Sequence, residues 1–310
     1  MKEDKLISVL MTVYKESLSY ITCAIESILF QTYKNIELII IVDNPEYPLV
    51  EEMLLSYSMK YANLSYFVNR NNIGLALSLN RAFKKSKGEF IARMDADDIS
   101  RLHRFEVEML YLEKQDNISL IATNCSYIDK NGIEIGFSNM NNVSLTKLKK
   151  IMKYSNVIIH PTWLMRREIF ENLNGYRNFP NSQDYDFALR LLDFGKEIKV
   201  INENLLQYRV HSDSISSSST WKQYVLFKYI LFLHKERLKN GIDTFSDEEV
   251  TRLVKIGESG NQKFQLGSSY LRNGVVNNNF FLILKSMLTS RDNFSQSKNV
   301  LLSKLMKMLW

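Results

Sequence analysis

Apolar positions in the first hundred residues follow two alternating rhythms. "LISVLMTVY" (6–14), "IELIIIVD" (36–43), "LSYFVN" (64–69) and "EFIARMD" (89–95) are short apolar runs rich in β-branched and aromatic residues. Such runs, with no helical period, read as strands buried on both faces. Between them, "ESLSYITCAIESILFQ" (16–31) sets apolar residues at 21, 24, 25, 28 and 29, one stripe of a helix. Residues 49–62 and 73–87 are helical by the same test, the second helix expected to end at Gly88. This alternation predicts an α/β domain built on a Rossmann-like, mostly parallel sheet flanked by helices. Ligands of such sheets gather beyond the C-terminal ends of the strands. Thr12, Tyr14, Asp43, Asn71 and Asp95 fall at those ends and are expected to line one crevice.

The pattern then becomes mixed. A helix is expected over 101–115, a strand over 118–129 running into the turn Lys130-Asn131-Gly132, a helix around 144–154, a strand near 157–165 and a helix near 167–173. "SQDYDFALRLLDFG" (182–195) has Ser182 at the N-cap position, Asp184 and Asp186 in the first turn and Gly195 at the C-terminal position. An extended segment (198–211) leads to the serine-rich "SDSISSSS" (212–219), after which the chain reads as helical to its end. The expected division is a catalytic domain over 1–219 and a basic helical region over 220–310.

Charge sharpens that division. Of the net +6, residues 1–219 hold 26 Lys/Arg against 27 Asp/Glu, and residues 220–310 hold 14 against 7. No nucleic-acid motif accompanies the basic excess, and apolar residues are mixed with the lysines, which favours the anionic surface of a membrane. The longest apolar run, "YVLFKYILFL" (224–233), is too short to span a bilayer. Cys23 and Cys125 have no CxxC or histidine-rich surroundings and read as reduced and buried. The N-terminus lacks a signal-peptide pattern, so a cytoplasmic location is expected.

Chemistry concentrates in "ARMDADDISR" (92–101), where three carboxylates occupy four positions after a buried strand. Asp95 and Asp97, spaced i, i+2 on a loop, can face one point and hold a hard divalent cation; a solvated acidic turn is the plain alternative. An EF-hand loop is excluded, since Ser100 stands at the position of its invariant glycine. His211 could add a nitrogen ligand, although a lone histidine is more often a packed or surface residue. Asp184 suits either the helix dipole or general base catalysis, and the sequence alone does not separate the two.

Taken in order, "SVLMTVYKE", "IELIIIVDNP", "NNIGLALSLN", "ARMDADD", "QDYDFALRL" and "YRVHSDSIS" resemble the family-2 glycosyltransferases with a GT-A fold, over roughly residues 5–217. Bacterial enzymes of O-antigen and capsule assembly are the closest in style, above all the β-1,3-glucosyltransferases that act on N-acetylglucosamine diphosphoundecaprenol. The resemblance implies that Thr12 and Asp43 hold the uridine, and that Gly74 and Asn80 belong to the donor pocket. Asn44 stands where relatives commonly carry a second aspartate. Asp95 and Asp97 match the DxD motif, the first near ribose and metal and the second on the metal, with Asp98 completing DxDD. Asp184 matches the catalytic base, Gln183 replacing a frequent glutamate, and His211 matches a metal and diphosphate contact.

The implied reaction is inverting, dependent on Mn2+ or Mg2+, and moves a hexose from a UDP-sugar, best glucose with galactose as the alternative. The implied acceptor is linked to undecaprenyl diphosphate, with the enzyme peripheral on the cytoplasmic face of the inner membrane. A nucleotidyltransferase would instead show a glycine-rich basic phosphate loop after the first strand, where "TVYKESLS" stands. In the tail, "SKNVLLSKLMKMLW" (297–310) carries an apolar stripe beside lysines, equally suited to a membrane surface or to packing on the protein's own core.

Overall fold

The central strand β1 (Ile7–Val13) pairs in parallel with β2 (Ile36–Val42) on one side and with β4 (Phe90–Asp95) on the other, and β2 continues to β3 (Leu64–Val68). In the computed structural model, residues 4–140, 143–210 and 220–308 are described. They fall into two units, Met1–Val143 with Ile158–His211, and Ser144–Val157 with Ser212–Trp310. Crossovers in the first unit are α1 (Leu18–Leu29), α2 (Pro48–Lys60) and α3 (Leu75–Lys85). The predicted stripe of α1 is the face it buries, through Ile21, Ala24, Ile25 and Ile28, and Ser17 caps its start by accepting from the Tyr20 N–H at 3.4 Å. α3 stops at Ser86, before Gly88. Gly88 instead lets the turn into β4 approach β1, since a Cβ there would lie 2.6 Å from the Ser8 nitrogen.

Beyond β4 come β5 (Ile99–Ser100), α4 (Arg104–Lys114), β6 (Ile118–Ile128) and β7 (Glu134–Phe137). A 3-10 turn at His160–Thr162 precedes β8 (Leu164–Arg166) and α6 (Arg167–Asn172), followed by α7 (Gln183–Asp193) and β9 (Glu197–Arg209). The sheet runs β3-β2-β1-β4-β8-β6-β9-β5, with β7 beside β6. β8 lies antiparallel between β4 and β6, and β6 and β9 are parallel. The strand expected over 157–165 is thus cut to three residues by the turn around Pro161, which has no N–H for a ladder. β7 escaped prediction because all four of its residues are exposed, leaving no alternation to read.

The interior also holds charge. Arg104 and Glu108, both fully buried, pair at 3.0 Å, and the Arg104 Nη2 donates to the carbonyls of Arg93 (3.1 Å) and Trp163 (3.4 Å). Burial pushes the Glu108 carboxyl up to about 7 against the pull of Arg104. Both cysteines are free, but Cys23 is exposed, not buried as expected; it lies on α1 outside the buried stripe. Cys125 is buried, and burial raises its thiol to about 11.

The second unit is helical: α5 (Leu145–Ile151), α8 (Thr220–Asn240), α9 (Asp247–Glu258), α10 (Gln262–Val276), α11 (Phe280–Thr289) and α12 (Arg291–Met308). Ser246, Asn261 and Asn279 cap α9, α10 and α11 by accepting backbone N–H bonds. Among the described residues no helix is long and apolar enough to cross a membrane.

Removing one partner of a buried ion pair leaves the other uncompensated, whereas an apolar replacement of both is tolerated. Arg104→Met is therefore expected to cost about 3–5 kcal/mol in urea unfolding, and Arg104→Met/Glu108→Leu to recover most of that loss. Equal destabilisation of the single and double variants would contradict this.

Candidate active site

Parallel pairing of β1 with β4 sets Thr12 directly beside Asp95. Beyond the end of β4, one carboxylate oxygen each from Asp95, Asp97 and Asp98 lies within 4.8 Å of the others. Three negative groups this close need positive charge, and the chain supplies Arg93, two residues earlier and almost fully buried. Its guanidinium pairs with the Asp95 carboxylate and also donates to the Met94 carbonyl, while its Nε has no hydrogen-bond partner among the described residues. The buried Asp98 accepts the Arg209 N–H at 2.8 Å on Oδ1 and, among the described residues, has no partner on Oδ2. Burial, then the charges of Asp95 and Asp97, hold the Asp98 carboxyl well above the usual range, with Arg209 and Arg93 pulling the other way. Hard oxygen donors, mutual proximity and an unpartnered buried carboxylate oxygen together fit a hard divalent cation.

A fourth carboxylate joins them. Glu16, half-buried just past β1, accepts the N–H groups of Tyr14 (2.7 Å) and Lys15 (3.1 Å). Burial raises its carboxyl, and Asp97 and Asp95 add to the rise. The signal for it was present in "TVYKE": β1 and β4 are neighbours, so a carboxylate after one strand end stands near those after the other.

Asp184, in the first turn of α7, is half-buried, and its pKa is raised to about 6 by burial. N–H groups of Tyr185 and of Asp184 itself oppose the rise, Asp95 adds to it and Arg93 reduces it. The proposed base thus lies within electrostatic reach of the DxD aspartate. Asp186 is fully buried on the other side of the helix, where it accepts from Arg190 Nε at 2.8 Å. Arg190 in turn holds the Leu173 and Gly175 carbonyls, at 2.6 and 2.9 Å. Burial, then Arg93, keep the imidazole pKa of His160 well below its usual value, and its Nε2 meets the Tyr176 hydroxyl at 2.8 Å. Sequence reading missed Arg93, Glu16 and His160, because each depends on contacts across the fold.

Other residues singled out from the sequence shape the crevice through the backbone. Asp43 Oδ1 accepts from Asn69 Nδ2 (2.6 Å) and the Ile73 N–H (2.9 Å), and Oδ2 from the Gly74 N–H (2.8 Å). It fastens the loop before α3, where Gly74 has φ +84°. Asn44 donates to the Tyr14 carbonyl at 2.9 Å and accepts the Glu46 N–H at 3.1 Å. Both ends of the Asn80 amide bind the backbone of Tyr176, at 2.8 and 2.9 Å. Asn71 is exposed and Thr12 half-buried. His211 lies outside the described residues, two positions beyond Arg209, whose Nε donates to the Asp97 carbonyl at 2.8 Å.

Residues 8–173 match the family described as Glycosyl transferase family 2. The chain belongs to glycosyl transferase family 2. The O-antigen biosynthesis glycosyltransferase WbnJ of Escherichia coli is 33% identical over 76% of this chain and 92% of its own. The uncharacterized glycosyltransferase MJ1057 of Methanocaldococcus jannaschii is 31% identical over 77% of this chain and 82% of its own. Among solved structures, that of S. aureus TarS residues 1–349 in complex with UDP-GlcNAc superposes with a TM-score of 0.63. It covers 95% of this chain and 89% of the TarS chain at 15% identity, a likeness of fold. The expectation of an α/β glycosyltransferase of GT-A fold with a helical C-terminal region is borne out. As a family-2 glycosyltransferase the chain has relatives in O-antigen and polysaccharide biosynthesis.

The bonds around Asp43 make one prediction. In Asp43→Asn one acceptor oxygen becomes an NH2 facing N–H donors, which leaves at least one buried donor unpaired. The expected cost is about 1–3 kcal/mol, read as a lower melting temperature with faster proteolysis in the 70–74 loop. Unchanged values for both would contradict the clamp.

Proposed function

We propose that this family-2 enzyme is an inverting, metal-dependent hexosyltransferase. It moves a sugar, best glucose, from UDP to N-acetylglucosamine linked through diphosphate to undecaprenol, forming a β-1,3 bond. One observation carries the reading: Asp184, with a carboxyl pushed up to about 6, lies within electrostatic reach of Asp95 and Arg93 at the acidic loop. A base poised there is nearly all ionised at neutral pH and still basic enough to accept a proton. The WbnJ name supports an O-antigen acceptor, and the UDP-GlcNAc in the TarS structure supports a UDP-sugar donor. The basic charge of residues 220–310 supports work at the inner membrane surface, where such an acceptor is anchored.

In this reading the crevice edge formed by Thr12, Asp43, Asn44, Gly74 and Asn80 receives the nucleoside. Asp43, Asn44 and Asn80 act by holding the loops that form it. Asp95 and Asp97, with His211, would hold Mn2+ or Mg2+, which would supply positive charge for the departing diphosphate. Asp184 accepts the proton of the acceptor hydroxyl as its oxygen attacks the anomeric carbon. The carbon–oxygen bond to the diphosphate breaks on the opposite face, and configuration inverts. Arg93 pairs with Asp95 and opposes the burial-driven rise of the Asp184 carboxyl.

Three outcomes are expected. In assays with UDP-glucose, UDP-galactose and UDP-N-acetylglucosamine and a synthetic N-acetylglucosamine diphosphate lipid, UDP-glucose should give the β-1,3 product. Transfer from another donor alone would change the sugar, and an α-linked product would sink inversion. Asp184 must be ionised to act, so kcat/KM should fall as pH drops through about 6. Asp184→Asn should abolish that limb and lower kcat by about 10²–10⁴-fold with UDP binding retained. A chelator should stop transfer and Mn2+ restore it; full activity in excess chelator would remove the metal from the scheme.

A further inference from the structure

Helix α11 is packed inside out. At about 100° per residue, Phe280, Leu284, Leu288 and Phe281 fall within an arc of about 100°, with Lys285 at its edge. That arc faces solvent: the four side chains are 63, 38, 86 and 83% exposed. Val276, at the end of α10 just before it, is exposed as well. The opposite side of α11 is buried and partly polar. Ser286 Oγ lies 3.0 Å from Ser297 Oγ of α12, and Ile283 packs where Gly274 lets α10 come close, a Cβ at 274 falling 2.8 Å from Ile283 Cγ1. A contiguous large apolar face turned outward, with serine turned inward, implies a surface that is covered when the protein works.

Charge selects the cover. From Ser259 through Arg291 the chain carries Lys263, Arg272, Lys285 and Arg291, all exposed, and no acidic residue. Six of the seven acidic residues beyond 219 lie at 236–258 instead. Lys285 sits over the Tyr270 ring at 4.3 Å, at the margin of the apolar arc. A second copy brought face to face would set like charges together. An anionic bilayer offers acyl chains to the phenylalanine and leucine side chains and phosphates to Lys285 at the margin of the arc and to the other exposed cations of this stretch.

We propose that α11, through Phe280, Phe281, Leu284 and Leu288, docks this protein on an anionic lipid bilayer. The inference rests on the membrane reading above for the place of action and names the surface that achieves it. The apolar stripe expected at 297–310 falls on α12, where Leu301, Leu302 and Met306 are half-buried and Leu305 is exposed, and its last two residues lie outside the described residues.

The test is co-sedimentation of the full chain with phosphatidylglycerol/phosphatidylethanolamine vesicles and with phosphatidylcholine vesicles, beside sugar transfer to a water-soluble N-acetylglucosamine diphosphate ester. The wild type should bind the anionic vesicles, more weakly in high salt, and prefer them to the neutral ones. Phe281→Glu/Leu288→Glu and Phe281→Ala/Leu288→Ala should weaken binding about ten-fold or more with transfer to the soluble acceptor unchanged. Equal binding by wild type and both variants, or no binding by the wild type, would overturn the proposal while leaving the enzymatic reading intact. A wild-type dimer that the substitutions dissociate, without vesicle binding, would assign the face to self-association and overturn it as well. Vesicle binding with no sugar transfer to any acceptor would support the docking face and count against the enzymatic reading.

Discussion

A guanidinium sealed inside a sheet must be balanced by negative charge, and the acidic edge of this enzyme is organised around that requirement. Arg93 is almost wholly buried on β4 and pairs with Asp95 at the strand's end. Its charge also opposes the burial-driven rise in the carboxyl groups of Asp98 and Asp184 and, with burial, disfavours protonation of His160. Without it, Asp95, Asp97, Asp98 and Glu16 would face one another with little to offset their repulsion. With it, the carboxylate cluster and Asp184, which feels the charge of Asp95, stand together beyond the strand ends.

Most of the polar side chains around that crevice are spent on backbone. Asp43 gathers the N–H groups of Ile73 and Gly74, Asn80 grips Tyr176, and the Asp186–Arg190 pair holds the carbonyls of Leu173 and Gly175. These bonds immobilise the loops beyond the strand ends, where a parallel sheet exposes its ligand site. Asp184 and Asp186 show the principle most plainly. They are two residues apart on α7, so one is turned into the core as a structural ion pair and the other is left toward the acidic loop.

Carboxylates and basic charge are divided along the chain. The carboxylates and most of the family match lie in the first unit, whereas the excess positive charge of residues 220–310 and the outward apolar face of α11 lie in the second. A shared fold at 15% identity fixes architecture and leaves donor and acceptor to local residues.

Periodicity determined β1 to β4 and their crossover helices, because strand and helix repeats are local properties of the chain. "ARMDADD" placed Asp95 and Asp97 at a strand end, and the α7 pattern placed Asp184 in a first turn, with no tertiary knowledge. Only the folded structure showed that Gly88 serves a close approach and not a helix end, that Cys23 is exposed, and that β8 reverses direction between β4 and β6. It also decided that Arg93 is the counter-charge of the site, that Glu16 joins it, and that α11 turns its phenylalanine side chains outward. Each of these depends on which distant residue stands opposite, and neither hydrophobic period nor local propensity carries that information.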